Sequence, residues 1–183
     1  LSLHDALPIS PDIHTLPVGN AGNITAYWKG YKEYRSDRMC SQLPAMWGFQ
    51  AAGSAPIVKG KIVKNPNTIA TAIRIGNPAS WQQALDARDS SGGIIDAVTD
   101  KEILAAYHLI ASKEGIFVEP SSAAGLAGLI KYQKAGKLPK NKTIVITVTG
   151  HGLKDIPYAL ESAKKPVVVP VNAKLAAKAL GLA

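Results

Sequence analysis

Residues 143–149 form a near-continuous run of β-branched side chains, and this run limits the folds that the chain can adopt. Such a run is expected of a strand that is buried on both faces of a parallel sheet. Shorter apolar segments alternate with segments of helical periodicity, which is typical of parallel α/β architecture. In these sheets ligands bind beyond the carboxyl ends of the strands. The sequence therefore predicts an α/β fold, with a parallel twisted sheet flanked by helices and a ligand site where strands end.

The other elements are predicted from apolar periodicity and turn residues. Strands are expected at residues 11–18, 45–50, 92–98 and 116–118. Helices are expected at residues 23–34, 79–89 and 99–113, and segment 119–125 opens a further helix that ends near residue 136. One face of the first helix is expected to be buried through Ile24, Tyr27, Trp28 and Tyr31. Thr99 and Glu102 have the spacing of a capping box, and Gly115 is a typical helix terminator. Segment 71–75 is rich in β-branched residues and is expected to be extended.

A glycine-rich loop follows the first strand. It comprises Gly19, Asn20, Ala21, Gly22 and Asn23, and a helical pattern begins at its end. Glycines let a backbone turn sharply and approach a ligand closely. The first N–H groups of a helix lack intrahelical partners and carry the positive end of the dipole, so they bind phosphate readily. The loop has neither the P-loop nor the dinucleotide pattern. Its spacing alone fits a phosphate cradle and a capped turn equally well.

A second glycine-rich segment follows the strand that ends at Thr149. Together the two loops could hold a flat, phosphorylated cofactor at both ends, with the far ring atom facing the Thr149 hydroxyl. A neutral hydroxyl beside a pyridine nitrogen leaves that nitrogen largely unprotonated, because no carboxylate stabilises a pyridinium. This weakens the ring as an electron sink and favours elimination and replacement over transamination.

Other catalytic arrangements have less support in the sequence. A Ser-His-Asp triad lacks the Gly-x-Ser-x-Gly elbow. His151 lies between glycines at the strand end, which makes it a pocket candidate, although the pattern favours a structural role over a catalytic one. Glu119 at a strand–helix junction and Asp155 near the expected pocket are further candidates. No Cys/His cluster has metal-ligand spacing, so no metal site is predicted.

The charge and composition exclude several function classes. The net charge is +8, but the basic residues are spread out and no nucleic-acid-binding motif accompanies them, so neither a nucleic-acid partner nor a membrane is expected. No apolar run approaches the length of a bilayer span. The lone Cys40 excludes an intramolecular disulfide, which fits a reducing compartment and a cytoplasmic location. Residues 1–10 fit neither a signal peptide nor the pattern that follows. They are expected to be a non-native leader, with residues 11–183 as one incomplete domain.

Four segments, in order, resemble the threonine synthase family. They are residues 16–28 (Leu-Pro-Val-Gly-Asn-Ala-Gly-Asn-Ile-Thr-Ala-Tyr-Trp), 46–53 (Met-Trp-Gly-Phe-Gln-Ala-Ala-Gly), 73–81 (Ile-Arg-Ile-Gly-Asn-Pro-Ala-Ser-Trp) and 148–155 (Val-Thr-Gly-His-Gly-Leu-Lys-Asp). The resemblance implies a pyridoxal-phosphate-dependent enzyme with the tryptophan-synthase-β-like fold (fold type II). It also implies the conversion of O-phosphohomoserine and water to threonine and phosphate, a step of threonine biosynthesis.

The resemblance also implies roles for particular residues. The loop Gly19–Asn23 would hold the cofactor phosphate, Asn23 would also reach the substrate phosphate, and Thr149 would bond the pyridine nitrogen. A further group would lie near the ring: Gln50, Ala51, Ala52 and Gly53. From the residues alone, the small side chains of this group allow either a flat ligand or simply a helix start.

The chain departs from the family pattern at one important point. The lysine that anchors the cofactor covalently belongs to a Ser-Phe-Lys-Asp-like motif, and no lysine here lies in such a motif; Lys154 belongs to a different, C-terminal loop. The chain is therefore interpreted as the C-terminal part of the enzyme, inactive alone and homodimeric when complete. Because the family's sheet takes strands from both chain halves, this part is expected to expose a sheet edge or apolar face.

Two alternatives remain open on the sequence. One is a related pyridoxal-phosphate lyase such as threonine dehydratase, against which the asparagines of the loop argue. The other is a non-catalytic phosphate- or cofactor-binding module, which would require the isolated chain to be a stable, reversible binder.

Overall fold

A computed structural model describes residues 10–162, 166, 168–169 and 171–182 of the 183-residue chain. The predicted leader, residues 1–10, lies outside this part except for Ser10. The strands are β1 (Ile13–Pro17), β2 (Ala45–Ala51), β3 (Ile94–Val98) and β4 (Ile144–Ile146), and the helices are α1 (Gly22–Ser36), α2 (Pro56–Lys59), α3 (Trp81–Ser90), α4 (Asp100–Glu114), α5 (Ala124–Lys134), α6 (Ile156–Ser162) and α7 (Ala173–Ala179). None of these helices is both long and apolar enough to cross a membrane.

The four strands form one parallel sheet in the order β3-β2-β1-β4. The chain first adds strands to one side of β1 and then, after β3, crosses back to pair β4 with the other side. The order of the strands therefore reverses between β1 and β4, with Ile13 opposite Ile144 and Thr15 opposite Ile146. Ligands of open α/β sheets bind at such a reversal, beyond the carboxyl ends of the strands. The predicted parallel sheet flanked by helices is confirmed.

Each face of the sheet carries its own core. On one face α1 and α3 cover β1 and β2, with Leu16, Ile24 and Met46 fully buried. On the other face α5 packs on β1, β2 and β3, with α4 against α5, and the Phe49 ring lies directly over Gly128 of α5. Helices on both faces force the middle strands to be apolar on both sides. The predicted burial of α1 is confirmed only for Ile24 and Trp28; Tyr31 is half-buried and Tyr27 is exposed.

The strand predicted at 143–149 is much shorter than its sequence suggests. Only Ile144–Ile146 pair with β1, and within the described residues β4 has no neighbour on its other side. Val145 is 42% exposed. An apolar groove lies along each face of this edge, one lined by Tyr27, Tyr31, Tyr34 and Val145 and the other by Leu109, Leu126, Ile146 and Val148. The expected exposed edge is thus present, and the prediction of a strand buried on both faces is wrong for this chain.

The predictions for the segments that connect the strands are confirmed only in part. The Thr99 capping box forms as predicted, since the Thr99 side chain accepts from the N–H of Glu102 and Gly115 ends α4 in the left-handed region. Segment 71–75 is not extended; Thr71–Ile73 is a single 3₁₀ turn. The strand expected at 116–118 is also absent. Its backbone instead pairs with the loop after β4, through the Glu119 N–H to Gly150 O (2.9 Å) and the Gly152 N–H to Phe117 O (3.1 Å).

Candidate functional site

A cavity of about 350 Å³ lies beyond the carboxyl ends of β1 and β4, where the strand order reverses. Both glycine-rich loops contribute to it. Its walls are Pro17, Gly19, Asn20, Gly22, Asn23, Ala72, Ile73, Ile75, Glu119, Ser121, Thr149, Gly150 and Lys154. The volume is in the range of roughly 300–1,000 Å³ that is typical of small-molecule sites. A single ligand can therefore contact the Gly19–Asn23 loop and Thr149 at the same time.

The loop after β1 has the geometry of an anion cradle. Ala21 is the N-cap of α1 and lies in the left-handed region with φ 66°, a conformation that a residue with a β-carbon adopts only under constraint. The turn places Gly22 and Asn23, at the start of the 15-residue helix α1, in the cavity wall. A β-carbon added to Gly22 would meet nothing within 4 Å, so the space beside this residue is open.

The two asparagines of the loop are held by the backbone. Asn20 Oδ1 accepts the Ala79 N–H at 2.8 Å, and the Asn20 carbonyl accepts the N–H of Ser80 at 3.2 Å. Asn23 Nδ2 donates to Pro17 O at 3.1 Å. These bonds tie the loop to the start of α3 and to the end of β1. Each amide carries two N–H donors, so this engagement still leaves donors for a ligand.

The opposite end of the cavity is built around Thr149. Its side chain is exposed to the cavity, and its Oγ1 lies 2.9 Å from the Oγ of Ser122, which is fully buried. Ser122 Oγ also accepts the backbone N–H groups of Thr149 (3.0 Å) and Gly150 (2.7 Å). The Pro120–Ala123 turn thereby fixes the loop after β4.

One acidic and one basic side chain line the same end. Glu119 is 5% exposed and its carboxyl lies against Gly150. Burial raises the pKa of Glu119, the positive charge of Lys154 lowers it, and Asp155 raises it further. The Thr71 hydroxyl donates to Asp155 at 3.0 Å, which anchors the loop that carries Lys154. The cavity thus combines neutral N–H donors at one end with a hydroxyl, a carboxyl and an ammonium group at the other.

Some residues that were expected near a ligand lie elsewhere. Gln50 is fully buried, and its Oε1 accepts the N–H groups of Ile57 (3.0 Å) and Val58 (3.2 Å), so it caps α2. Ala51 ends β2, Ala52 and Gly53 follow it, and none of the three is part of the cavity wall. His151 is exposed, with Nδ1 accepting the Leu153 N–H at 3.1 Å and its ring edge-on to Phe117.

Other wall residues were not singled out by sequence reasoning. Ser121 Oγ accepts the Ala72 N–H at 3.1 Å and closes one side of the cavity. Ser122 supports Thr149 from behind, and Ile73 faces Gly19. The available signal was the pair of serines after Pro120, at the junction that precedes α5. Hydroxyls in the first turn of a helix are well placed to bond nearby loops.

The donor set fits a planar ligand that carries a phosphate. N–H groups at a helix start can bind an anion, and the hydroxyl at the opposite end can form a hydrogen bond with a ring atom. Among the residues that the structure describes, no three His, Cys, Asp or Glu side chains come together as a metal site. The architecture therefore defines an α/β domain with an anion loop and a hydroxyl facing each other across one cavity.

Comparison with known proteins identifies the class. The family model described as pyridoxal-phosphate dependent enzyme matches residues 1–150, and the chain belongs to this family. It is 56% identical to threonine synthase of Mycobacterium leprae over 178 residues, which cover 97% of the chain and 49% of that protein. With threonine synthase of Halalkalibacterium halodurans the identity is 54% over 167 residues, covering 91% and 47%. The chain spans about half the length of these relatives.

Solved structures show the same fold at lower sequence identity. A fungal L-serine ammonia-lyase from Rhizomucor miehei superposes with a TM-score of 0.64 at 23% identity, covering 84% of this chain and 50% of that one. The processed form of threonine deaminase isoform 2 from Solanum lycopersicum also gives 0.64, at 19% identity, covering 83% and 42%. The predicted fold, that of pyridoxal-phosphate enzymes of fold type II, is confirmed.

Proposed function

We propose that this chain is the C-terminal, cofactor-binding part of a threonine synthase, which converts O-phosphohomoserine and water to L-threonine and phosphate. The observation that carries the proposal is the identity of 54–56% with threonine synthases over 91–98% of the chain. The cavity supports it independently, because its two ends have the chemistry that a phosphorylated pyridine requires.

Each end of the cavity has a defined role in this proposal. The N–H groups of Gly19–Asn23 hold the cofactor phosphate, with Asn23 also reaching the substrate phosphate. Thr149 bonds the pyridine nitrogen. When bound, pyridoxal phosphate supplies an electron sink for the carbanion chemistry of the substrate. The role of this chain is to fix both ends of that group and to keep its ring nitrogen neutral, since the Thr149 hydroxyl bonds the nitrogen and burial raises the pKa of the Glu119 carboxyl at the same end.

The covalent anchor is assigned to another part of the longer protein. Lys154 lies in the Gly152–Asp155 turn at the nitrogen end of the cavity, beside Glu119. A lysine that also moves the α-proton must lie at the reacting carbon, so Lys154 does not have this role. We infer that this lysine comes from the half that the chain does not span, and that the complete protein is a cytoplasmic homodimer.

A chimeric enzyme tests the function directly. The part of M. leprae threonine synthase that precedes the position matching Pro11 is fused to residues 11–183. With 56% identity across the exchanged part, the interface between the halves is expected to be compatible. The chimera is expected to release phosphate from O-phosphohomoserine and to form threonine.

The same chimera distinguishes the alternatives. Ammonia and a keto acid from unphosphorylated threonine would instead support a dehydratase. A folded chimera that retains the cofactor but performs neither reaction would overturn the proposal and favour a binding module. The Gly22→Val variant of the chimera is the matched control, because it blocks the cradle without altering the fusion.

A further inference from the structure

Ser122 holds Thr149 through a hydrogen-bond arrangement that leaves little freedom for its own hydrogen. Two backbone N–H groups, those of Thr149 and Gly150, point at Ser122 Oγ at 3.0 and 2.7 Å. A hydroxyl oxygen has two lone pairs and one hydrogen. Both lone pairs are therefore occupied, and the Ser122 hydroxyl acts as a donor.

Two acceptors lie within reach of that hydrogen. Gly150 O is 3.0 Å away and Thr149 Oγ1 is 2.9 Å away. The Gly150 carbonyl already accepts the N–H of Glu119 at 2.9 Å. If Ser122 donated to Gly150, Thr149 Oγ1 would face an oxygen with no free lone pair at 2.9 Å. Because Ser122 is fully buried, its hydrogen must be donated to an acceptor within the protein. Donation to Thr149 Oγ1 turns the 2.9 Å contact between the two hydroxyl oxygens into a hydrogen bond.

We propose that Ser122 is a positioning residue that donates to Thr149 Oγ1 and thereby turns the Thr149 hydrogen into the cavity. The ring end of the cavity then presents a hydrogen-bond donor. A hydroxyl that accepts a hydrogen bond is also a stronger donor, so the bond from Ser122 strengthens the hydrogen bond that Thr149 donates. The ligand class selected is a phosphorylated aromatic ring with an unprotonated nitrogen. The inference rests on the proposed function only in taking this cavity as the cofactor site.

A pair of small phosphate esters tests how much the ring nitrogen contributes to binding. Pyridin-3-ylmethyl phosphate and benzyl phosphate have the same arm, charge and size, and differ only in one ring atom. Neither carries an aldehyde, so neither reacts with the lysines of the chain. Their dissociation constants are measured on the 183-residue chain by phosphorus NMR titration. The chain is expected to prefer the pyridyl compound by roughly two- to tenfold, the value of one net hydrogen bond.

Substitutions separate positioning from simple structural support. Ser122→Ala is expected to bring the preference close to one while the affinity for benzyl phosphate changes little. Thr149→Val should also abolish the preference, and adding Ser122→Ala to it should cause no further loss. Thr149→Ser, which keeps the hydroxyl, should retain the preference for the pyridyl compound. If Ser122→Ala does not fold, Ser122→Cys, with its weak S–H donor, is expected to show a reduced preference.

Several results would overturn the inference. A folded Ser122→Ala or Ser122→Cys chain with the full preference would show that Thr149 needs no orientation. An equal loss of both affinities would show a merely structural role. If neither phosphate binds the wild-type chain, the cavity is not the site. These binding measurements involve no turnover. A chimera that makes no threonine would therefore contradict the proposed function without contradicting the role of Ser122.

Discussion

Gly19 lies against the backbone of Ile73, so closely that a β-carbon at position 19 would come within 2.9 Å of Ile73 Cα and 3.0 Å of Ala72 O. Gly22, three residues later in the same loop, has no such neighbour within 4 Å. The lack of a side chain therefore matters for a different physical reason at each of these two positions. One permits a close approach of two loops, and the other keeps open the space in front of the helix.

Gly19→Ala is expected to destabilise the chain. The added methyl must displace backbone atoms rather than a flexible side chain, and such overpacking costs about 1–3 kcal/mol. Urea unfolding should show the lower free energy of unfolding. Gly30→Ala is the control, because Gly30 is in α1 with open space around it and alanine is a better helix residue. An unchanged urea midpoint for Gly19→Ala would contradict the contact.

Gly22→Val is expected to leave the fold intact and to abolish phosphate binding. Its side chain projects into the open space that the anion would occupy, so affinity for pyridin-3-ylmethyl phosphate should be lost while the melting temperature changes little. Gly30→Val, eight residues further along α1, introduces the same side chain away from the loop and should retain binding. Retention of binding by the Gly22 variant would show that the loop is not the phosphate site.

Thr149→Ala in the chimeric enzyme is expected to lower turnover and to shift the absorbance of the cofactor. Loss of one hydrogen bond to the ring corresponds to roughly a tenfold lower rate. Thr143→Ala, at the start of the same segment but outside the cavity, is the matched control and should leave rate and spectrum unchanged. If the spectrum and rate of the Thr149 variant match the wild type, the hydroxyl does not face the ring.

His14 is expected to make stability depend on pH. It is buried in β1 between the Tyr31 hydroxyl (3.1 Å) and the Thr147 hydroxyl (2.6 Å), with Tyr27 against its ring. Burial lowers its pKa below 6.5. The unfolded chain therefore binds this proton more readily, so its contribution to stability is present above pH 6.5 and is lost as pH falls toward the lowered folded pKa.

Urea unfolding at several pH values measures this effect. The wild-type free energy of unfolding should decrease between pH 6.5 and more acidic values, and His14→Gln should remove that component. His108→Gln, at an exposed position on α4, serves as the control and should keep it. A decrease that is the same in the His14 variant would assign the pH dependence to other groups.

The free edge of β4 is expected to cause self-association of the isolated chain. Unpaired backbone groups flanked by apolar grooves form a template for another strand. Val145→Lys places a charge on this edge and should lower the apparent molecular mass in sedimentation. Val58→Lys is closely matched, since both valines are 42% exposed and Val58 lies in α2. Equal sedimentation of the Val145 variant and the wild type would show that the edge is not the contact.

Much of the fold could be predicted because its signals are local. The Thr99 capping box, the Gly115 terminator and the start of α1 each depend on residues within one or two turns of each other. The meeting of the two glycine-rich loops at one cavity could be predicted for a similar reason. Parallel strands carry their carboxyl ends to one edge of the sheet, so two loops that follow strands were expected to meet.

The errors occur where distant segments compete for the same backbone groups. Residues 116–118 have the composition of a strand, yet the Phe117 carbonyl and the N–H of the following Glu119 bond the loop after β4. Periodicity and propensity do not determine which of several partners a backbone group finds.

The sequence by itself determined the alternation of strands and helices, the caps, and the glycine loop that begins α1, because these depend on neighbours along the chain. Only the tertiary structure decided that Ser122 supports Thr149 and that Gly19 packs on Ile73. It also decided that β4 is the edge strand among the residues that the structure describes. Contacts between residues tens of positions apart depend on how the sheet orders its strands, and no local pattern specifies that order.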